Sequence, residues 1–269
     1  MKRLDAAQVE RFRRDGALSP IAVLDPSDVL RFREAIDEME SLLGGSLQRI
    51  DNIHFHLRWA RDLVCHAAVV DVLEDILGSE VLVHSSRIFA KQPRDGTYVN
   101  WHQDGRYSQL GTTSITAWIA LTDSRPDNGC VRIVPGSHHG GPLVHRELPS
   151  ALNLNHHGEE VAVRVDERDA TDFVLAAGEM SLHDVYIVHS SYSNHSDRCR
   201  VGFSVTYTTP PASAANALFV RARGHAALPH LRLWSEPPCE TVSDGLAAHA
   251  EWLRGNSQRA PRVRERVAS

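Results

Sequence analysis

Three side chains in this chain have the types and spacing to hold a redox metal. His102 and Asp104 lie two residues apart in Asn100-Trp101-His102-Gln103-Asp104-Gly105, and His189 closes the apolar run "DVYIVH". Two imidazole nitrogens and one carboxylate oxygen make a two-His-one-carboxylate facial set, which leaves metal positions open for oxygen chemistry on iron(II). Arg200 follows His189 in "HSSYSNHSDRCRVGF". Its guanidinium offers a bidentate partner for a free carboxylate, such as the far end of 2-oxoglutarate.

His-x-Asp is a short pattern, and the chain contains two more of the same shape. His195-Ser196-Asp197 sits in a polar "SNHSDR" turn, and His157-Gly158-Glu159 sits in a His/Asn-rich stretch; both read as solvated loop. What sets His102 and Asp104 apart is context. Strand-like "TYVN" precedes them, Gly105 gives the backbone room to turn, and residues i and i+2 on a strand share a face. His189 and Arg200 flank a polar hairpin loop, an arrangement expected to set them side by side on adjacent antiparallel strands. His183 remains a rival ligand, since its even spacing from His189 puts both on one face of a regular strand. The two histidines in "VPGSHHGG" are read as turn residues around Pro135-Gly136-Ser137, not as ligands.

Strands and helices must bring these residues together. Asp5 is a candidate cap for a short helix ended by Gly16. "LDPSDVLRFREAIDEMESLLGG" opens with Pro26 and repeats apolar residues at Val29, Phe32, Ile36, Met39 and Leu43, the period of an amphipathic helix. "HAAVVDVLEDILGSE" reads the same way. Beyond Gly78 the pattern changes to short runs rich in β-branched and aromatic residues: "VLVHSSRIFAK", "TSITAWIALT", "CVRIVPG", "EMSLHDVYIVHSS" and "RVGFSVTYT". The fold class expected is mainly β with flanking α-helices, a sandwich or jelly roll. One domain over 1–269 is expected: N-terminal helices at 1–78, a β core at 79–210 and a C-terminal segment at 211–269. That segment carries a candidate helix at "SDGLAAHAEWLRG" and a mobile basic tail with Arg259, Arg262, Arg264 and Arg266. The stretch 142–160 reads as a long loop over one mouth of the barrel.

Composition narrows the alternatives. At 269 residues, 42% hydrophobic and 23% charged, the chain is ordinary for a globular protein, and its net charge of −5 gives no reason to expect nucleic acid. Cys65, Cys130, Cys199 and Cys239 form no C-x-x-C pair, so neither a zinc knuckle nor a disulfide framework is expected. The start is charged, and no run approaches the roughly 18 apolar residues of a membrane span. A cytoplasmic location with no membrane partner is expected.

Taken in order, "SSRIFAKQP", "WHQDG", "TAWIALTDSRPDNGCVRIVPGSH" and "HSSYSNHSDRCRVGFSVTY" resemble the phytanoyl-CoA dioxygenase superfamily of iron(II)- and 2-oxoglutarate-dependent oxygenases. The resemblance spans about residues 80 to 210. It implies a double-stranded β-helix (jelly-roll, cupin-like) core, with His102, Asp104 and His189 as iron ligands and dioxygen as second cosubstrate. It implies Arg200 as partner of the distal carboxylate of 2-oxoglutarate, helped by the Ser191 hydroxyl. It places Trp118 in the cosubstrate pocket, where core packing is the competing reading, and it implicates Phe89 toward the cosubstrate and Arg87 toward substrate. Halogenases that resemble this pattern have Ala or Gly at the carboxylate position, so Asp104 points to hydroxylation. The expected substrate is a small biosynthetic intermediate, an amino acid or secondary metabolite, free or carrier-tethered. Desaturation, epoxidation or cyclisation by the same centre stays open, as does a non-catalytic cupin-like binding barrel.

Overall fold

The computed structural model describes residues 2–106, 113–155, 158–214 and 217–257. In chain order the helices are α1 (Ala6–Asp15), α2 (Pro26–Leu43), α3 (Arg58–Val64), α4 (Ala67–Leu77) and α5 (Val242–Ser257). The strands are β1 (Ala17–Ala22), β2 (Arg49–Asp51), β3 (Val81–Lys91), β4 (Val99–His102), β5 (Ser114–Ala120), β6 (Val131–Ile133) and β7 (His145–Arg146). They continue as β8 (Glu160–Val161), β9 (Thr171–Phe173), β10 (Glu179–Asp184), β11 (His189–Ser191), β12 (Arg200–Thr208), β13 (Leu218–Arg223) and β14 (Arg232–Leu233).

Two sheets face one another. The major sheet runs β1-β10-β5-β12-β3-β13-β14, with β2 added on β3, and the minor sheet runs β4-β11-β6-β9. The pairings are antiparallel except for β13 with β14. This is the multi-strand antiparallel architecture of a double-stranded β-helix, flanked by helices as expected. The major sheet also draws β1 from within 1–78 and β13 and β14 from beyond 210, so those bounds do not mark its edges.

Alternation along β12 explains which face does what. Val201, Phe203, Val205 and Tyr207 are buried in the large apolar core with the helices, and Tyr207 donates its hydroxyl to the Val64 carbonyl at 2.8 Å. Arg200, Gly202 and Ser204 point the other way. Neighbouring β5 keeps the phase, with Ile115, Ala117 and Ile119 in the core. On β3 the phase changes at a bulge where the pairing skips from Thr206–Ser85 to Tyr207–Val83. Beyond it, Arg87, Phe89 and Lys91 stand opposite Ser204, Gly202 and Arg200 on the inner face.

The helices form for local reasons. Asp5 caps α1 through a reciprocal box with Gln8, and Gly16 ends it in the left-handed conformation at φ 72°. Pro26 opens α2 next to the Asp25 cap, and Phe32, Ile36 and Met39 are fully buried. The sequence reading missed α3, which is only seven residues long, and the strands β1 and β2 among the helices. Among the described residues, no helix is long and apolar enough to cross a membrane. The basic tail lies outside the described residues.

Candidate active site

His102 ends β4 and is the register partner of His189, which opens β11. Both rings project from the minor sheet, with centroids 4.0 Å apart. The His102 Nδ1 lies 2.8 Å from the Asn100 carbonyl and 3.1 Å from that of His189, and the His189 Nδ1 lies 3.1 Å from the Ile187 carbonyl. A carbonyl only accepts, so Nδ1 carries a proton in each ring, which leaves Nε2 as the atom available to a metal. These Nε2 atoms stand 3.6 Å and 3.7 Å from Asp104 Oδ1. Ligand atoms of His102, Asp104 and His189 all fall within 4.8 Å of one another.

Asp104 does not continue the strand. β4 stops at His102, and Asp104 opens a single 3₁₀ turn to Arg106. Gly105 permits that turn: a Cβ there would come within 2.5 Å of the Tyr186 ring. Gln103 anchors it by donating its amide to the Gly141 and Tyr186 carbonyls and accepting from Leu143 N. Asp104 Oδ2 accepts from Thr116 Oγ1 at 2.6 Å and lies 3.3 Å from His183 Nε2. Thr116 and His183 are register partners on β5 and β10, so the major sheet grips the oxygen that the two inward histidines leave alone. Burial would raise the Asp104 carboxyl, but His189, His102 and His183 outweigh it and hold it well below the usual carboxylate range. Burial pushes the His189 imidazole far down, and the neighbouring His102 adds to this, so His189 is neutral as a ligand must be.

His183 is therefore not the rival it seemed. "EMSLHDVYIVHSS" is two strands, β10 in the major sheet and β11 in the minor, separated by a turn, so even spacing says nothing about a shared face. The hairpin expectation for His189 and Arg200 fails for a similar reason. The chain crosses from β11 in the minor sheet to β12 in the major sheet, and the two residues meet across the sandwich.

They do share one cavity, of about 470 Å³ empty volume. Its wall includes His102, Asp104, Thr116, His183 and His189 at one side and Trp118, Ser191, Arg200, Ser204, Phe89 and Arg87 elsewhere. Arg200 is 2% exposed; its Nη2 donates to the Gly129 carbonyl at 2.8 Å, while Nε and Nη1 are buried without a hydrogen-bond partner. Orphaned guanidinium donors facing a cavity want an anion with two oxygens. Burial lowers Arg200 to about 10, which leaves it charged at neutral pH. Its Cζ lies 5.1 Å from the Trp118 ring, and a Cβ on Gly202 would reach 1.9 Å from Trp118 Cζ2. Trp118 is thus both packed and exposed to the cavity, held flat over a strand that has glycine there. Arg87 is tied through Nε to Asp51, which also accepts Arg49 Nη2 at 2.8 Å.

The decoys resolve as loop residues. Asp197 is exposed and pairs with Arg94 at 2.7 Å, and His195 is exposed. His157 lies outside the described residues; Glu159 is buried, at 7% exposed, and pairs with Arg106 at 3.5 Å, so the solvated-loop expectation fails for it. His138 and His139 donate from Nε2 to the Arg13 and Arg14 carbonyls, closing the C-terminal end of α1. Across the 142–160 segment β7 pairs with β8, and His145 Nε2 accepts from Gln103 N at 3.1 Å, so this segment braces the turn that carries Asp104. Sequence reasoning missed Thr116, His183 as a carboxylate clamp, and Lys91, which lies fully buried beside Arg200. Only the strand register could have revealed them.

The donor set fits a divalent metal with three open positions, and Arg200 fits the far carboxylate of a ketoacid. His102, Asp104 and His189 would hold the iron. The phytanoyl-CoA dioxygenase (PhyH) family matches residues 12–202. A probable alpha-ketoglutarate-dependent hypophosphite dioxygenase of Stutzerimonas stutzeri is 29% identical over 185 residues, 66% of this chain and 62% of that protein. The L-proline trans-4-hydroxylase of Streptomyces griseoviridis is 26% identical over 243 residues, 79% of this chain and 91% of that protein. The solved non-haem monooxygenase ThoJ superposes with a TM-score of 0.75 at 31% identity, covering 94% of this chain and 95% of that one.

Proposed function

Since the chain belongs to the phytanoyl-CoA dioxygenase family of iron(II)- and 2-oxoglutarate-dependent oxygenases, we propose that it hydroxylates an unactivated C–H bond of a small biosynthetic intermediate, with 2-oxoglutarate going to succinate and carbon dioxide. An amino acid or a secondary metabolite, free or carrier-tethered, is the substrate class. One observation carries the reading: the His102, Asp104 and His189 ligand atoms gather within 4.8 Å on the same cavity as two orphaned Arg200 donors. Likeness to a proline hydroxylase supports the amino-acid arm.

When bound, iron(II) with 2-oxoglutarate and dioxygen supplies the oxidising power; the protein supplies placement. In this reading His102 and His189 would offer Nε2 to the metal, their rings fixed by the Nδ1 bonds. Asp104 would offer Oδ1 to the metal while Thr116 and His183 hold Oδ2, and its carboxylate would take the place a halide needs. Arg200 and Ser191 take the distal carboxylate, Trp118 and Phe89 wall the cosubstrate, and Arg87 faces substrate. Burial of these groups keeps water from the reacting centre.

The test is a substrate screen read by succinate formation and product mass. A gain of one oxygen supports hydroxylation or epoxidation, which the position of the new oxygen separates, and a loss of two hydrogens assigns desaturation or cyclisation instead. His102→Ala and Asp104→Ala are each expected to abolish substrate-dependent succinate release, and near-normal turnover in either would sink the assignment.

A further inference from the structure

Lys91 is a buried amine beside Arg200. It is 0% exposed, and it stands opposite Arg200 in the β3–β12 register, on the same inner face. Its Nζ donates to Ser191 Oγ at 2.7 Å and to the Tyr192 carbonyl. Among the described residues, neither Lys91 nor Arg200 makes an ion pair. A charged Lys91 buried beside Arg200 without a carboxylate is costly unless an anion joins them.

The Ser191 hydroxyl links Lys91 to the cavity that Arg200 also lines. Ser191 lines the cavity, and its Oγ has no hydrogen-bond partner other than Lys91 among the described residues. An N–H from Lys91 occupies an acceptor lone pair of Oγ, so the Ser191 proton remains free for an acceptor in the cavity. Arg200 Nε and Nη1 lack partners at the same end. We propose that Lys91 is a positioning residue for the cosubstrate: it turns the Ser191 proton toward the distal carboxylate and adds a second positive charge behind Arg200. The proposal rests on the assignment of Arg200 and Ser191 to 2-oxoglutarate, and it gives that carboxylate three donors from two sheets.

Proton linkage gives a signature that a packing role would lack. Burial, with Arg200 adding to it, lowers Lys91 to about 6; Asp95 and Cys130 are the other charged or titratable groups acting on it, and both oppose the shift. A carboxylate arriving beside it favours the ammonium, so binding takes up a proton above that pH. Affinity for the dianion then falls as pH rises from about 6 to 8, by at most about tenfold per unit.

The experiment uses the iron(II)-loaded protein without oxygen, reading chelation by visible absorbance. The probes are 2-oxoglutarate and 2-oxopentanoate, which has the same chain length but no far carboxylate. Wild type is expected to prefer 2-oxoglutarate strongly. Lys91→Met and Ser191→Ala should each weaken 2-oxoglutarate about tenfold or more and leave 2-oxopentanoate unchanged. The double variant should be little worse than Ser191→Ala, because Lys91 acts largely through that hydroxyl. The pH slope should flatten in Lys91→Met. Unchanged 2-oxoglutarate affinity in Lys91→Met, or equal weakening of both ketoacids, overturns the role. A wild type that does not distinguish the two ketoacids overturns the cosubstrate assignment itself, which is a separate failure.

Discussion

Asp104 is the residue on which the chemistry turns, and its second oxygen is as informative as its first. With Oδ1 toward the two histidines and Oδ2 held by Thr116 at 2.6 Å, the carboxylate cannot rotate freely. Outer partners of this kind set ligand orientation and typically matter 10–100-fold in metal affinity. Thr116→Val keeps the shape and removes the donor; iron(II) affinity, measured by competition with a chelating indicator, should drop about tenfold or more. An unchanged affinity would mean that His183 alone fixes the carboxylate. At this scale the sequence was largely legible: His102, Asp104, His189 and Arg200 all reach one cavity. Thr116, His183 and Lys91 were not, because their roles depend on which strands pair across long stretches of chain. Nothing local in "TSITAWIALT" marks the threonine that meets a carboxylate twelve residues earlier.

Elements were legible where periodicity is long and turn chemistry is explicit. Asp5 and Gly16 bound α1, and Pro26 and Gly44 bound α2, as read from the sequence. Short elements escaped: β2 is three residues and α3 seven, too few for a period to show. The β10–β11 break escaped because the apolar run "VYIVH" hides a turn, which moved His183 and His189 to opposite sheets. The candidate helix near the C-terminus is α5, and it docks through a cluster of histidines. His249 Nδ1 lies 3.3 Å from His56 Nδ1, against Trp252 and Trp234. Burial lowers His56 to about 4, with His249 and Arg61 adding to the shift, and burial likewise lowers His249. The unfolded chain takes up protons near 6.5 that the folded chain refuses until about 4. Stability should therefore fall as pH drops from about 6.5 toward 4, by on the order of 2 kcal/mol for His56 at pH 5. Thermal melting across that range checks it: His56→Gln should flatten the slope, and an identical slope in the variant would assign acid sensitivity elsewhere.

The whole molecule is two sheets used for different purposes. The minor sheet supplies His102 and His189, the major sheet supplies Arg200, Trp118 and the Asp104 clamp, and the helices bury the outer face of the major sheet. That division explains why the family likeness was readable over 80 to 210 while substrate choice was not. Arg49 on β2 reaches the Leu154 carbonyl at 2.8 Å and shares Asp51 with Arg87, so β2 ties β3 to the 142–160 segment. The central claim is that one cavity binds iron(II) and 2-oxoglutarate together, and anaerobic titration tests it most directly. Adding 2-oxoglutarate to the iron(II)-loaded protein should raise a saturable visible charge-transfer absorption, and Arg200→Ala should need at least several-fold more 2-oxoglutarate, since it leaves a carboxylate unpaired. Absence of the band in the wild type, or the same half-saturation in Arg200→Ala, would contradict the account.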